Sequence, residues 1–267
     1  MESPRKLVGA GFILVFLFGC AAHISPAEDA VFFVQVDDSA LNFQPILGGL
    51  PANPADFPAS FLSKSGRKWC SGTMVGAGVF LTAAHCLSGR GSVILKTGRT
   101  KYSGRCEVVP EYLLGDITAD WALCELAEYP NVPFEVVNAD PVRLAIGVDV
   151  MLVGFGCAIT GGSKGTLRYG YASIETVPSN TNHHVAARGD VAVCFGDSGN
   201  AAFLPVASSA VGRRYQVGVN SHGNIYDLSM ISSTSAAPAV AFMRDWMARH
   251  GREICGLTIG AVGCRPL

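Results

Sequence analysis

The stretch CFGDSGN, residues 194–200, places Ser198 between an acidic residue and a glycine. Gly, Asp and Ser are ordinary turn residues, so a plain surface turn would account for this composition. A serine held in so tight a turn could instead be a nucleophile. Its hydroxyl reacts poorly near neutral pH unless a base removes its proton and a third group orients that base. The nucleophile hypothesis therefore requires a histidine and a buried acid elsewhere in the chain.

Among the six histidines, His85 has the most suggestive context, because it closes the apolar run VFLTAAHC beside a cysteine. His183 and His184 lie in the polar stretch SNTNHHVAARGD, and we expect them to be solvated. The remaining three are His23 in the leader, His222 in the segment NSHG and His250 at the end of the last helical segment.

Three motifs together resemble the trypsin/chymotrypsin family of serine proteases. TAAHC carries His85, ADWALCEL carries Asp120 and GDSG carries Ser198, in the family's order of His, Asp and Ser. The resemblance covers roughly residues 46–250. It implies an all-β fold of two packed antiparallel β-barrels, chymotrypsin-like, with the site in the cleft between them.

The resemblance also assigns roles. Ser198 attacks the substrate carbonyl, His85 carries the serine proton to the leaving amine, and Asp120 orients the imidazole and stabilises its charged form. Asp116, in GDIT, is the competing acid. Asp120 is favoured because the apolar residues after it can bury its carboxylate, whereas Asp116 follows a glycine in a turn-like context.

The turn around the serine supplies the remaining groups. The backbone N–H groups of Gly196 and Ser198 would form the oxyanion hole, and Gly199 lets the turn fold behind the nucleophile. GDSGN replaces the family's GDSGG. We expect the turn to survive at Asn200, because asparagine tolerates a positive φ better than most residues.

Asp197 lies next to the nucleophile and cannot be the acid that orients His85. In the family this acid pairs with the α-amino group that cleavage before I-[VI]-G-G exposes, and here ILGG begins at Ile46. We therefore expect Ile46 and Asp197 to form an activation pair. Pro45 precedes the site instead of Arg or Lys, so either an activating protease of other specificity cuts here or the cut does not occur.

Substrate preference is expected to follow from Ala192 and Val193, six and five residues before the nucleophile, at the floor of the family's primary pocket. A carboxylate there would select Arg or Lys, so alanine favours an apolar or small residue before the scissile bond. The acids Asp190 and Asp227 are the alternative. Ser221 and Gly223 match the family's substrate-pairing strand SWG, in which His222 replaces the tryptophan.

Composition narrows the classes of partner. The chain has 267 residues, of which 49% are apolar and 15% are charged, and its formal net charge is −1. No basic cluster stands out in the sequence, so we expect polypeptide substrates and no nucleic acid. The histidines and cysteines show no zinc-site spacing, so neither a metal nor another cofactor is expected.

The N-terminus predicts export. Arg5 and Lys6 precede an apolar run, Leu7 to Phe18, that is shorter than the roughly twenty residues needed to cross a bilayer. The run ends in LFGC, which resembles a bacterial lipobox with Cys20 as the lipidated residue. Plain cleavage near residues 21 and 22 is the alternative. The protein is thus expected to be secreted, periplasmic or an outer-membrane lipoprotein, and Cys20 would attach it to the membrane.

If lipid occupies one of the nine cysteines, eight remain, and an exported chain is expected to oxidise them. Buried free thiols are the alternative. Proximity in sequence favours three bridges and leaves a fourth pair, and the predicted pairs are Cys70–Cys86, Cys106–Cys124, Cys255–Cys264 and Cys157–Cys194.

The elements that must position these residues are mostly short strands, predicted at SVILKTG, VDVMLVGFG, RYGYASIETV and RYQVGVNSHG. One amphipathic helix is predicted from Pro238 to His250, with Gly251 as its stop. The predicted segments are a signal peptide (1–19), a spacer or pro-segment (20–45), a first barrel (46–135), a second barrel with the helix (136–250) and a disulfide-closed tail (251–267).

The sequence is compatible with two functions from different classes. The first is a serine endopeptidase that works through an acyl-enzyme intermediate. The second is a catalytically silent relative, an envelope protein that binds a partner on the same fold, because fold does not imply function.

Overall fold

The computed structural model describes residues 46, 48–88, 91–156, 165–206 and 213–267. Two antiparallel barrels dominate this part of the chain. The first closes in the order β2-β3-β4-β7-β6-β5, after a short strand β1 (Leu50–Pro51). Its strands are β2 (Ser60–Ser65), β3 (Lys68–Gly76), β4 (Val79–Thr82), β5 (Ser92–Thr97), β6 (Thr100–Val108) and β7 (Ala122–Leu126).

The second barrel follows after a linking segment. Its strands are β8 (Asp149–Gly154), β9 (Arg168–Thr176), β10 (His184–Arg188), β11 (Ala201–Pro205), β12 (Arg214–Gly223) and β13 (Leu228–Ser233). They run in the order β9-β10-β13-β12-β11-β8, and the pairing of β8 with β9 closes the ring, while β1 pairs with the start of β9. The all-β, chymotrypsin-like fold and the four strands predicted by sequence pattern are confirmed.

Buried and exposed side chains alternate along the strands, so the apolar side chains fill the interior of each barrel. In β5, Val93 and Leu95 are buried while Ser92, Ile94 and Lys96 are exposed. In the second barrel, Val150 and Leu152 of β8 pack in a core cluster with Val217 and Ile231. Each barrel therefore has its own apolar interior, as the period-two pattern requires.

The predicted C-terminal helix is present as α2 (Ala237–His250), and Gly251 ends it with a φ of 60°. A shorter helix, α1 (Pro110–Leu113), precedes β7. Phe242, Met243 and Trp246 of α2 pack in one cluster with Val79 and Leu123 of the first barrel. The same cluster contains Val219 of β12, so the helix packs against both barrels. The predicted division at residues 135 and 136 lies in the linking segment, and the segment boundaries stay predictions.

Three of the predicted disulfides are confirmed, namely Cys70–Cys86, Cys106–Cys124 and Cys255–Cys264. Cys194 is also disulfide-bonded. Its predicted partner Cys157 lies outside the described residues, as do Cys20 and the whole of the predicted signal and spacer segments. No helix within the described ranges is both long and apolar enough to cross a membrane.

Candidate active site

His85 and Asp120 meet at the edge of the first barrel. His85 lies in a short 3-10 turn, Ala84–Cys86, directly after β4, and Asp120 lies two residues before β7, which pairs with β4. The imidazole Nδ1 is 2.6 Å from Asp120 Oδ2, and the His85 backbone N–H donates to Oδ1 at 2.9 Å. The carboxylate therefore fixes both the ring and the turn that carries it.

The second barrel adds a further donor to this carboxylate. The Ser221 hydroxyl, on β12, donates to Asp120 Oδ2 at 2.6 Å. His222 Nδ1 lies 3.0 Å from the same hydroxyl oxygen. Because the one hydroxyl hydrogen is already donated to Asp120, His222 must carry its own proton on Nδ1 and donate it to Ser221. A hydrogen-bonded chain thus runs from His222 through Ser221 and Asp120 to His85.

These contacts keep Asp120 ionised. Burial alone would raise its pKa, since desolvation disfavours a charged carboxylate. The charge and hydrogen bonds of His85, together with the Ser221 hydroxyl, outweigh this effect and hold the pKa of Asp120 below its ordinary value. A buried anion facing Nδ1 keeps the imidazole proton on that nitrogen and leaves Nε2 to accept another.

Ser198 lies in the turn before β11 and is almost fully buried. Its hydroxyl donates to the Ser221 carbonyl at 3.3 Å. One sulfur atom, Cys86 Sγ, contacts both the Ser198 carbonyl oxygen at 3.6 Å and His85 Nε2 at 3.8 Å. Ser221 and the Cys70–Cys86 disulfide therefore bring the serine turn to the histidine and the acid.

Strand β3 holds this turn from the other barrel, a role that sequence reasoning missed. The Ser71 N–H donates to the Ser198 carbonyl at 2.8 Å, and the Ser71 hydroxyl donates to the Gly196 carbonyl at 2.6 Å. Thr82 in turn donates to the Ser71 carbonyl. Since Ser71 directly follows Cys70, the disulfide and these bonds form one cross-barrel support.

Two backbone donors of the turn remain unused. Across the described ranges, neither the Gly196 N–H nor the Ser198 N–H donates a hydrogen bond, whereas the Asp197, Gly199 and Asn200 N–H groups all do. Orphan N–H groups beside a serine hydroxyl are what an oxyanion hole requires before substrate arrives.

Asp197 is fully buried and accepts three backbone hydrogen bonds. Its Oδ2 accepts from the Ile46 nitrogen at 3.0 Å and from the Cys194 N–H at 2.9 Å, and Oδ1 accepts from the Gly156 N–H at 2.7 Å. A Cβ on Gly156 would lie 2.5 Å from the carboxylate carbon, so only glycine permits this approach. Gly156 was not predicted, although GFG signals a close backbone contact.

The predicted pocket residues are buried in the second barrel. Ala192 and Val193 are buried, and the Val193 N–H donates to Ser229 Oγ at 3.0 Å. A Cβ on Gly223 would lie 3.2 Å from a Val193 methyl group, so the two residues face one another closely. Of the alternative acids, Asp190 is exposed and Asp227 is paired with Arg188 and Asn224.

The competing acid Asp116 binds the Thr118 hydroxyl and His183 Nε2 rather than His85. Two other expectations, that His183 and His184 are solvated, need correction. His183 and His184 are buried, because pairing of β10 with β13 and packing below His222 enclose a segment whose sequence is polar. The ring centroids of His184 and His222 are 4.7 Å apart, and burial, with help from His222, lowers the pKa of His184 to about 4.

Asn200 has a different role from the one expected. Within the described residues, Ile46 and Ile225 are the non-glycine residues with positive φ, so Asn200 does not use the left-handed region. Its side-chain oxygen instead accepts from the Thr73 hydroxyl at 3.0 Å. The residue therefore adds another hydrogen bond between the barrels.

One group of side chains has the elements of a metal site. Atoms of Cys70, His85 and Cys86 lie within 4.8 Å of one another. The two cysteines are joined in a disulfide, so neither offers the thiolate that binds a metal.

Two packed barrels, with an Asp-bound histidine on one and a serine turn on the other, define a chymotrypsin-like serine protease. The family model described as Trypsin matches residues 46–246, and the chain belongs to this family. A curated relative named Trypsin, from Saccharopolyspora erythraea, is 28% identical over 184 residues, which cover 58% of this chain and 79% of that protein. The protein is thus a trypsin-like serine protease that acts on polypeptides.

Gly199 provides a test of the serine turn. Its φ is 89°, and a Cβ there would lie 2.2 Å from both the Ser71 carbonyl oxygen and Thr82 Oγ1. We expect Gly199→Ala to lower the free energy of unfolding by at least about 3 kcal/mol and to reduce activity severely, because the turn must move away from β3.

Gly147→Ala is the matched control. Its φ is 83° and nothing lies within 4 Å of the added Cβ, so only the conformational cost of about 1 kcal/mol is expected. Urea unfolding and peptide hydrolysis measure both effects. Equal losses in the two variants would contradict the close packing of Gly199.

Proposed function

We propose that the protein is a serine endopeptidase in which Ser198 is the nucleophile, His85 the general base and acid, and Asp120 the orienting acid. The observation that carries the assignment is the buried Asp120 carboxylate, which contacts the ring Nδ1 of His85 at 2.6 Å and accepts from its backbone N–H at 2.9 Å, beside the Ser198 turn. A structural histidine has no need of a fully buried anion, whose desolvation is costly unless it is paired.

The reaction follows from these positions. His85 Nε2 takes the Ser198 proton as the oxygen attacks the substrate carbonyl carbon, and the carbonyl electrons move to its oxygen. The Gly196 and Ser198 N–H groups donate to that oxyanion. Loss of one such donor typically lowers the rate about a hundred- to a thousand-fold. The imidazolium then protonates the leaving amine, and water, deprotonated by His85, hydrolyses the acyl-enzyme.

Active-site labelling tests the assignment. A fluorophosphonate is expected to label the processed protein at Ser198, as located by peptide mass spectrometry, and Ser198→Ala should abolish labelling. Ser221→Ala is the matched control, because that hydroxyl contacts Asp120 but is not the proposed nucleophile.

Asp120→Asn should slow labelling by several orders of magnitude, since the imidazole would lose the partner that fixes its tautomer. Labelling at another residue, or none after correct processing, would support the catalytically silent relative instead.

Activation is proposed to need cleavage before Ile46. The Ile46 side chain is fully buried and its nitrogen lies 3.0 Å from Asp197. Its φ of 42° is strained for a β-branched residue. Once Ile46 is the first residue, there is no preceding carbonyl oxygen to clash with its side chain at this φ. Cleavage would also turn a neutral amide into an ammonium ion that pairs with the carboxylate.

While that nitrogen is an amide, Asp197 has no countercharge among the residues that the structure describes. Burial then raises the pKa of Asp197 to about 7, although hydrogen bonds from Cys194, Gly156 and Ile46 oppose the rise. Between the ordinary value of 3.8 and about 7, the folded state keeps a proton that the unfolded chain releases. The uncut chain should therefore lose stability as pH rises through this window, by about 1.4 kcal/mol per pH unit.

Asp197→Asn should have opposite effects on the two forms. In the uncut chain it removes the titrating group, so the stability curve between pH 4 and 7 should flatten and the chain should be more stable at neutral pH. In the form that begins at Ile46, it should lower stability and activity, because the new ammonium loses its partner.

The exposed Asp149→Asn serves as control. Urea unfolding across pH, on both forms of each variant, gives the measurement. The same sign of effect in the uncut and cut forms would rule out this activation pair.

The primary pocket is proposed to take an apolar or small residue. Ala192 at its floor is uncharged, and the close approach of Val193 to Gly223 narrows the space. Asp227 is already paired with Arg188, so it is not poised to balance a substrate cation. A buried positive charge without a partner would be strongly disfavoured.

Cleavage profiling on a peptide library tests this preference. Wild-type protein should cut after small or apolar residues, and Ala192→Asp should shift preference toward Arg and Lys by at least about tenfold in kcat/KM. Ala192→Asn is the control of equal size without charge. A wild-type profile dominated by Arg and Lys would refute the proposed pocket.

Export is part of the proposal. Trypsin-like domains and disulfides suggest an exported protein, in line with the predicted signal segment. We propose that the chain leaves the cytoplasm through this signal, with either lipidation of Cys20 or plain cleavage after it. If Cys20 is lipidated, cleavage before Ile46 would also release the enzyme from the membrane.

A further inference from the structure

The part of the first barrel's outer wall around the β2–β3 and β5–β6 hairpins carries an excess of positive charge. Between Asp56 and Glu107 the sequence has eight Lys or Arg residues and no acidic residue, although the whole chain has a net charge of −1. All 21 Asp and Glu residues lie outside this segment. Seven of the eight basic residues lie within the described ranges and form what we call the basic face: Lys64, Arg67, Lys68, Lys96, Arg99, Lys101 and Arg105.

Strand pairing gathers these residues, which are dispersed in sequence. Lys64 of β2 is opposite Ile94 of β5, and Lys96 of β5 is directly opposite Lys101 of β6. The remaining members occupy the ends of the β2–β3 and β5–β6 hairpins or the far end of β6. Because Val93 and Leu95 point into the barrel, their neighbours Ile94 and Lys96 point outward.

No carboxylate of the described part of the chain neutralises the charges on this face. Within the described residues, none of the seven forms an ion pair, whereas the exposed Arg188 and Arg249 on other surfaces both contact carboxylates. Like charges directly opposite in a sheet are destabilising, so the Lys96–Lys101 pair does not contribute to the stability of the fold. Charge of one sign on one surface attracts a ligand of opposite sign and guides its approach.

An aromatic residue lies within the basic face. Trp69 is 39% exposed, and the ammonium groups of Lys64 and Lys96 lie 5.1 and 5.0 Å from its ring centroid. Ile94, also 39% exposed, adds an apolar contact. This combination suits a polypeptide with acidic and apolar side chains. A nucleic-acid base that stacked on Trp69 would have to displace the two ammonium groups first.

The basic face is continuous with the cleft. The Lys68 ammonium donates to the His85 carbonyl oxygen at 2.8 Å. One residue beyond Trp69 on β3, Cys70 is bonded to Cys86, and the next residue, Ser71, donates to the Ser198 carbonyl. A chain that reaches the serine from this side would pass over the β2–β3 hairpin.

From these features we infer that the basic face binds an acidic segment of polypeptide substrates, outside the cleft. The inference rests on the proposed function only in that the bound chain is then cleaved at Ser198. Binding the segment raises the local concentration of the scissile bond at the cleft, so it should lower KM for substrates that carry such a segment and leave short peptides unaffected.

Binding is tested with a fluorescein-labelled poly-Glu peptide and the full chain carrying Ser198→Ala, which prevents cleavage. Fluorescence anisotropy should show binding that weakens with salt. Lys96→Glu with Lys101→Glu should raise the Kd about tenfold. The matched control is Arg213→Glu with Arg244→Glu, which makes the same change in net charge at two exposed sites elsewhere and should leave the Kd unchanged.

Kinetics give a second readout on active enzyme. Poly-Glu should raise KM for a protein substrate with an acidic segment and should not affect a short chromogenic peptide, and Lys96→Glu with Lys101→Glu should lose this response. Equal poly-Glu binding by the two double variants would overturn the inference.

Tighter binding of single-stranded DNA or phosphatidylserine vesicles than of poly-Glu, at physiological salt, would overturn it as well. Failure of Ser198 to be labelled would refute the proposed function but would leave the anisotropy result unaffected, so the two failures are distinguishable.

Discussion

The buried carboxylate of Asp197 accepts hydrogen bonds from three distant parts of the chain: Ile46, Gly156 and Cys194. It thereby joins the start of the family domain, the end of β8 and the segment before the serine. The next residue is Ser198, so whatever holds Asp197 also sets the direction of the two unused N–H groups. A charge in this place is stable only when it is paired, so the proposed activation pair would couple the state of the N-terminus to the geometry of the site.

The histidine and serine turns meet because the two barrels share polar contacts across their interface. Ser71 of the first barrel holds the turn of Ser198, while Ser221 of the second barrel binds the acid of the first. Thr73 and Asn200 add a further bond. These hydrogen bonds, the bond from Trp121 Nε1 to the Ser232 carbonyl and the apolar cluster around α2 together determine how closely the barrels meet. A small shift between them would separate the histidine from the serine.

Local patterns predicted much of this arrangement. Alternating runs gave the strands, three-and-four spacing gave the helix from near Pro238 to His250, and sequence proximity gave three disulfides. The contact between His85 and Asp120 followed from two motifs that resemble one family. Contacts set by strand register were not predictable in this way. Three features depend on which strands become neighbours. They are the burial of His183 and His184, the hydrogen bonds of Ser71, and the closeness of Lys64, Lys96 and Lys101.

Active-site titration of two N-terminal forms tests the dependence on Asp197 most directly. One form begins with a free amine at Ile46, and the other carries an acetyl group on that amine, which restores a neutral amide without changing any side chain. The account predicts that the free-amine form titrates close to one reactive serine per molecule and that the acetylated form does not react. Equal titration of both forms would contradict it.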